Sequence, residues 1–218
     1  VSELALYDYW RSSAAYRVRI ALNLKQLAYA SHPVHLVRNG GEQRAASYLK
    51  LNPQGLIPLL VDGDRVIRQS VAIIEYLDET RDGAMKLLPS SPEARARVRG
   101  LAGIIACDTH PPNNLRIMRY LESELGADEA QRLQWTQHWM QEGFRAFEGI
   151  VANSDATGTF CEGDTPTLAD CCLVPQLYNA RRFKVDLSPF PTLVRIDAAC
   201  AELEAFRKAR PEVQADAE

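Results

Sequence analysis

The chain lacks any apolar run near the roughly 20 residues that would span a bilayer; the longest tempting stretch, Leu101 to Cys107, falls far short, so no membrane span is expected. It also lacks a basic block. Its 25 Lys and Arg are scattered among 28 Asp and Glu for a net charge of −3, which excludes the electrostatic footprint of a nucleic-acid binder. Cysteine is sparse: Cys107, Cys161, Cys171, Cys172 and Cys200 form an odd set without a Cys-x-x-Cys pair, which argues against a disulfide framework and a zinc site. A reducing cytoplasm is the expected home. His32, His35, His110 and His138 show no metal-ligand spacing on one helix, so no metal is expected. No signal-peptide pattern, internal repeat or low-complexity tract is visible, and Leu4 already belongs to a strand pattern.

What is present is a chain of 218 residues, 46% hydrophobic and 24% charged, long enough for a sizeable core. Its pattern changes near residues 86 to 92. Before that point, strand-like runs at Leu4 to Tyr7, Pro33 to Val37, Ile57 to Val61 and Arg65 to Ile67 alternate with helical ones, and Asp62-Gly63-Asp64 reads as a hairpin turn. After Leu88-Pro89-Ser90-Ser91-Pro92 the pattern is helical: Glu93 to about Thr109, a break at His110-Pro111-Pro112, then Asn113 to Leu125, Asp128 to Val151, Thr167 to Arg182 and Thr192 to Arg207. The expected architecture is therefore α/β plus all-α, with domains at residues 1–86 and 92–218 and a loose tail over the last eight residues.

Two serines stand where the first strand gives way to a helix. In that helix Val18, Ala21, Leu22 and Lys25 share a face, while Arg17 and Arg19 point elsewhere. Ser12 or Ser13 then falls at the N-cap, where a hydroxyl either caps the helix or joins the free N–H groups in holding an anion or thiolate. Gln69-Ser70 offers the same choice before the helical run Val71, Ile74, Leu77, with Ser70 as the expected N-cap. Ile57-Pro58, read alone, is an ordinary trans strand-entry proline. Thr167 and Asp170 form a capping box, which assigns them to folding, and Cys171 and Cys172 read as core residues of the same helix.

The stretch Arg11-Ser12-Ser13, followed by Tyr16-Arg17-Val18-Arg19-Ile20-Ala21-Leu22, resembles the N-terminal signature of zeta-class glutathione transferases, the family of maleylacetoacetate and maleylpyruvate isomerases. The resemblance continues through Asn52-Pro53-Gln54-Gly55-Leu56-Ile57-Pro58, Gln69 to Leu77, Asp164 to Asp170 and Asn179 to Leu187, and so covers nearly the whole chain. It implies a thioredoxin-like N-terminal domain that binds glutathione and a helical domain that binds substrate. Ser12-Ser13-Ala14-Ala15 occupies the loop that carries redox cysteines in the thioredoxin fold, so dithiol chemistry is excluded there.

Further implications concern single residues. Pro58 becomes cis, freeing the Ile57 backbone to pair with an extended peptide; Gln69 and Ser70 hold the γ-glutamyl end of glutathione; His110 and Asn114, at the helix break, lie over the same ligand. Ser12, with Ser13 as alternate, becomes the partner of the glutathione thiolate. Arg11 and Arg182 become a two-arginine grip on a dicarboxylate, since a guanidinium holds a carboxylate through paired bonds. Arg181 is expected in a structural salt bridge, and Arg116 could reach the pocket. Related maleylpyruvate isomerases carry an extra arginine where this chain has Leu115, and the family's maleylacetoacetate isomerases commonly have cysteine where it has Ala14.

The implied reaction is cis–trans isomerisation of a maleyl keto-acid by reversible thiolate addition to the double bond. The protein raises the thiolate fraction, clamps the carboxylates and stabilises an enolate. A homodimer is implied as well. A conjugating or dehalogenating transferase, and an inactive protein of the same fold serving as an interaction module, stand as alternatives.

Overall fold

A computed structural model describes residues 3–82 and 85–218. The chain forms two compact units: one of the residues up to Leu88 together with Ala201–Glu218, the other of Pro89–Cys200.

The first unit is built on a four-stranded sheet in the order β2-β1-β3-β4, with β1 Leu4–Asp8, β2 Tyr29–Pro33, β3 Leu59–Asp62 and β4 Arg65–Arg68. β1 and β2 run parallel, joined by helix α1 (Ser13–Leu24), whereas β3 is antiparallel to both β1 and β4. Gly63, at φ +59°, makes the β3–β4 turn with Asp64. Two expectations shift here. β2 occupies Tyr29–Pro33 rather than Pro33 to Val37: it is a half-exposed edge strand without apolar alternation, and Val34 N–H adds one last bond to the Asp8 carbonyl at 2.7 Å. β3 starts at Leu59 because Pro58 has no N–H to pair.

Helix α1 packs against α3 (Ser70–Thr80) and against α9 (Glu204–Ala209), and is therefore buried on nearly every side. This overturns the reading of one apolar face with Arg17 and Arg19 pointing away. Arg17, Arg19 and Lys25 are 2%, 0% and 1% exposed. Arg19 pairs with Asp8 at 3.0 Å and donates to the carbonyls of Trp10 and Ala209, while Lys25 pairs with Asp78 at 3.0 Å. Charge buried at this density survives only because each cation finds acceptors. A short helix, α2 (Ala46–Leu51), completes the unit before the loop to β3.

The C-terminal segment also departs from expectation. The predicted single helix from Thr192 to Arg207 is two, α8 (Pro191–Ala201) and α9, separated at Glu202 and Leu203. Residues 201–218 group with the first unit instead of extending the helical domain, and the predicted loose tail is anchored: Pro211 is buried, and Asp216 accepts the Trp10 N–H at 3.0 Å.

The second unit is helical: α4 (Pro92–Gly103), α5 (Leu115–Ser123), α6 (Glu129–Val151), α7 (Leu168–Arg182) and most of α8. Asp128 opens α6 with a capping box closed by Gln131. The predicted capping box of α7 is present: Asp170 accepts from Thr167 N at 2.7 Å and Thr167 Oγ1 at 2.9 Å, and its other oxygen accepts from Cys161 N at 2.9 Å. α7 runs through Pro175 and buries Leu173, Leu177, Cys171 and Cys172. Between α4 and α5 the chain widens into a π-helical segment, Ile104–Thr109, then tightens into a 3₁₀ turn at Pro111–Asn113. Thr109 Oγ1 donates to the Ile104 carbonyl at 2.7 Å, and α6 carries Gly143 against it, where an added Cβ would stand 1.9 Å from that oxygen.

Candidate active site

In the first unit, the residues singled out from sequence gather at two helix N-termini and one loop. Ser12 is the N-cap of α1, as expected: its φ and ψ are −74° and 117°, and its Oγ accepts the Ala15 N–H at 3.2 Å. That bond uses a lone pair and leaves the hydroxyl proton free to donate, at the positive end of the helix dipole. Ser12 is half-exposed, whereas Ser13, the first residue of α1, is buried, so of the two hydroxyls Ser12's is open to a ligand. Arg11 is exposed, with its guanidinium carbon 4.2 Å from the centre of the Trp10 ring.

Ser70 corrects an expectation. It is not the N-cap of α3 but its first residue; Gln69 holds the cap position with φ 72° and makes no side-chain cap bond. Ser70 is 6% exposed, and its hydroxyl accepts from Arg17 Nη1 at 3.2 Å. Gln69 Nε2 donates to Gln54 Oε1 at 2.9 Å, which ties the α3 entry to the loop before β3. In that loop the Ile57-Pro58 bond is cis, and Ile57, half-buried, makes no backbone hydrogen bond among the described residues. The loop is held from behind: Tyr48 Oη and Asn52 Nδ2 both donate to the Leu56 carbonyl, at 2.7 and 2.6 Å, and Asn52 Oδ1 accepts from Gln54 N at 3.2 Å. Burial pushes the Tyr48 hydroxyl up to about 12.

This set of groups fits a glutathione. An open hydroxyl at the positive end of a helix suits a thiolate, the Ile57 backbone suits a peptide, and a serine at a second helix N-terminus suits a carboxylate.

In the second unit, His110 and Asn114 flank the 3₁₀ turn. His110 follows the π segment and donates its N–H to the Ile105 carbonyl at 2.9 Å; Asn114 caps α5 by accepting the Arg116 N–H at 3.1 Å. Trp135 Nε1 donates to the Pro112 carbonyl at 3.0 Å, bracing the turn from α6. Leu115 is half-buried at the first position of α5, and Arg116 is exposed. Arg182 ends α7, exposed, with its guanidinium carbon 5.0 Å from the centre of the Phe183 ring. Arg181 pairs with Asp197 at 2.6 Å, the expected structural bridge. Among the described residues, no group of three His, Cys, Asp or Glu side chains is placed to hold a metal, and no helix is long and apolar enough to cross a membrane.

Sequence reasoning missed the supports. The periodicity turns Arg17 away from the apolar face, Tyr48 carries no signal, and Asn52 and Gln54 stand in a motif of the family resemblance without a role of their own, because what they do depends on contacts made across the fold.

The family model described as glutathione S-transferase, N-terminal domain, matches residues 11–80. The class is therefore that of the glutathione transferases, with a thioredoxin-like sheet domain and a helical region. The maleylacetoacetate isomerase of Rhizobium meliloti is 53% identical over 97% of this chain and 97% of its own. Among solved structures, a holo maleylpyruvate isomerase, described as a bacterial glutathione S-transferase in the zeta class, superposes with a TM-score of 0.95 at 48% identity, covering 98% of this chain and 100% of that one. The maleylacetoacetate isomerase from Methylobacterium extorquens AM1, solved with bound malonate and glutathione, gives 0.94 at 40% identity over 98% and 99%. The chain belongs to the zeta class of glutathione transferases, the family of the maleylacetoacetate and maleylpyruvate isomerases.

Proposed function

We propose that the chain is a glutathione-dependent cis–trans isomerase that converts a maleyl keto-dicarboxylate, maleylacetoacetate or maleylpyruvate, to its fumaryl isomer in the breakdown of aromatic amino acids or aromatic rings. The observation that carries the reading is the near full-length likeness to maleylacetoacetate isomerase, at 53% identity, and Ser12, Gln69, Ser70, Arg11 and Arg182 stand in the sequence motifs that resemble that family. When bound, glutathione supplies a thiolate able to add reversibly to the alkene carbon and so make the double bond rotatable.

The chain's own residues do the rest. Ser12 Oγ–H and the α1 N-terminus favour the thiolate over the thiol; lowering a thiol pKa by about two units corresponds to about 2.7 kcal/mol. Ile57 pairs with the ligand backbone and Gln69 and Ser70 seat its γ-glutamyl end; in the helical unit, His110 and Asn114 are the candidate glutathione ligands. Arg11 and Arg182 grip the substrate carboxylates and steady the enolate oxygen. Leu115 supplies no third guanidinium, so the grip rests on two. Glutathione binding falls to the sheet domain, residues 1–86, joined by the tail that packs on it, and substrate selection to the helical domain that begins at 92.

We place the enzyme in the cytoplasm as a homodimer. All five cysteines are free, four of them buried, which suits a reducing compartment. Light scattering on the purified chain tests the dimer.

The deciding experiment follows the keto-enol absorbance of both maleyl acids with and without glutathione, for wild type and Arg182→Ala, while free thiol is titrated. The reading expects turnover that requires glutathione at constant thiol and falls in the variant. Thiol loss in step with turnover means a conjugating transferase instead.

A further inference from the structure

Arg17 sits four residues after Ser13 on α1, and a long helical side chain leans back over the turn N-terminal to it. There it is 2% exposed and donates through Nη1 to Ser70 Oγ at 3.2 Å. A guanidinium carries donors only, so in this bond the serine is the acceptor, and its one proton points elsewhere. A serine that merely capped its helix would spend its oxygen on a backbone N–H of that helix. Ser70 does not: it is the first residue of α3, and Gln69 stands at the cap.

We propose that Arg17 is a positioning residue for the glutathione carboxylate: by occupying a lone pair of Ser70, it reserves the serine proton as a donor to the α-carboxylate of the γ-glutamyl end. The inference rests on the reading of Gln69 and Ser70 as the γ-glutamyl seat. It also links the two helix N-termini of the site, because one side chain of α1 sets the donor direction at α3.

The test compares glutathione with γ-aminobutyryl-cysteinyl-glycine, the same peptide without that carboxylate, by calorimetric titration. Wild type should prefer glutathione. Arg17→Met should bind glutathione about tenfold more weakly, the scale of one hydrogen bond to a charged group, and bind the analogue as wild type does. Ser70→Ala should show the same loss, and the double variant should be no weaker than either single one. Arg17→Lys, another donor-only side chain, should recover part of the affinity, and in turnover the loss should appear in KM for glutathione rather than in kcat.

A wild type indifferent to the carboxylate overturns the γ-glutamyl seat and this inference with it. A wild type that discriminates while Arg17→Met discriminates as strongly overturns the role of Arg17 alone, as do losses that add in the double variant or fall equally on both ligands. Should Arg17→Met fail to fold, Arg17→Gln decides with the same ligands: its amide both donates and accepts, so it no longer dictates the serine's proton, and an undiminished preference overturns the proposal.

Discussion

Ser12 does two jobs with one oxygen. Its lone pair closes the α1 N-terminus on Ala15, and its proton is left for a ligand. Ser12→Ala should therefore lower kcat/KM about a hundredfold, as loss of one preorganised donor does, and separately cost about 1 kcal/mol of stability as a lost cap. Ser12→Thr should keep the stability and part of the rate, which steady-state kinetics and urea melts on the same samples would separate. Tyr48 offers a second check at this scale. Its hydroxyl is held to about 12 in the fold against about 10 in an unfolded chain, so the bond to the Leu56 carbonyl contributes fully below about pH 10. As pH rises from there toward 12, the unfolded chain gives up the proton first and stability falls. Denaturant midpoints across that window should drop more steeply for wild type than for Tyr48→Phe.

At the level of elements, two close fittings carry the helical unit. Asp170 is wholly buried and accepts three hydrogen bonds, two from Thr167 and one from Cys161 N. Asp170→Ala orphans buried donors at both the α7 cap and the preceding loop. It should cost about 3 kcal/mol, beyond an ordinary cap, and reduce folded yield before it touches KM; Asp170→Asn, which keeps one of the two acceptor oxygens, should cost less. Gly143 is the other fitting, since an added Cβ would collide with Thr109 Oγ1 at 1.9 Å and its Cβ and Cγ2 at 2.9 Å. Gly143→Ala should destabilise by about 1–3 kcal/mol, with Thr109→Ala in the same chain restoring part of it by thermal melts.

Much of this was legible in the letters. The capping box of α7 was plain because Thr167 and Asp170 stand three apart before an apolar run, and the β3–β4 hairpin because Gly63 marks its turn. The π segment was not, because Ile104 to Thr109 differs from an α-helix only in which carbonyl each N–H chooses. Nor was the burial of Arg17 and Arg19: Arg17 meets Ser70 of α3, 53 residues on, and Arg19 meets the Ala209 carbonyl of α9, 190 residues on. Of the site, Ser12 and the cis Ile57-Pro58 bond stood where expected, whereas Ser70 was misplaced by one position because the unusual φ of Gln69 moves the cap back a residue.

For the whole molecule, the first unit is discontinuous in sequence. Arg19 bonds the Ala209 carbonyl at 3.1 Å, Asn23 the Ala205 carbonyl at 2.9 Å, and Trp10 N–H the Asp216 carboxylate at 3.0 Å. A fragment ending at Leu88 leaves Arg19 and Asn23 short of acceptors and exposes the face of α1 that α9 covers. It should be largely unfolded by circular dichroism, and joining residues 201–218 to it through a flexible linker should restore a cooperative melt.

The cysteines draw a last consequence. Four are buried, burial driving the thiols of Cys161, Cys171 and Cys200 far up, and only Cys107 is exposed, on the π segment one turn before His110. The native chain is thus a single-address protein for thiol chemistry: a maleimide dye would mark one known place without any engineering, and its emission would report what happens at that helical bulge when ligands arrive.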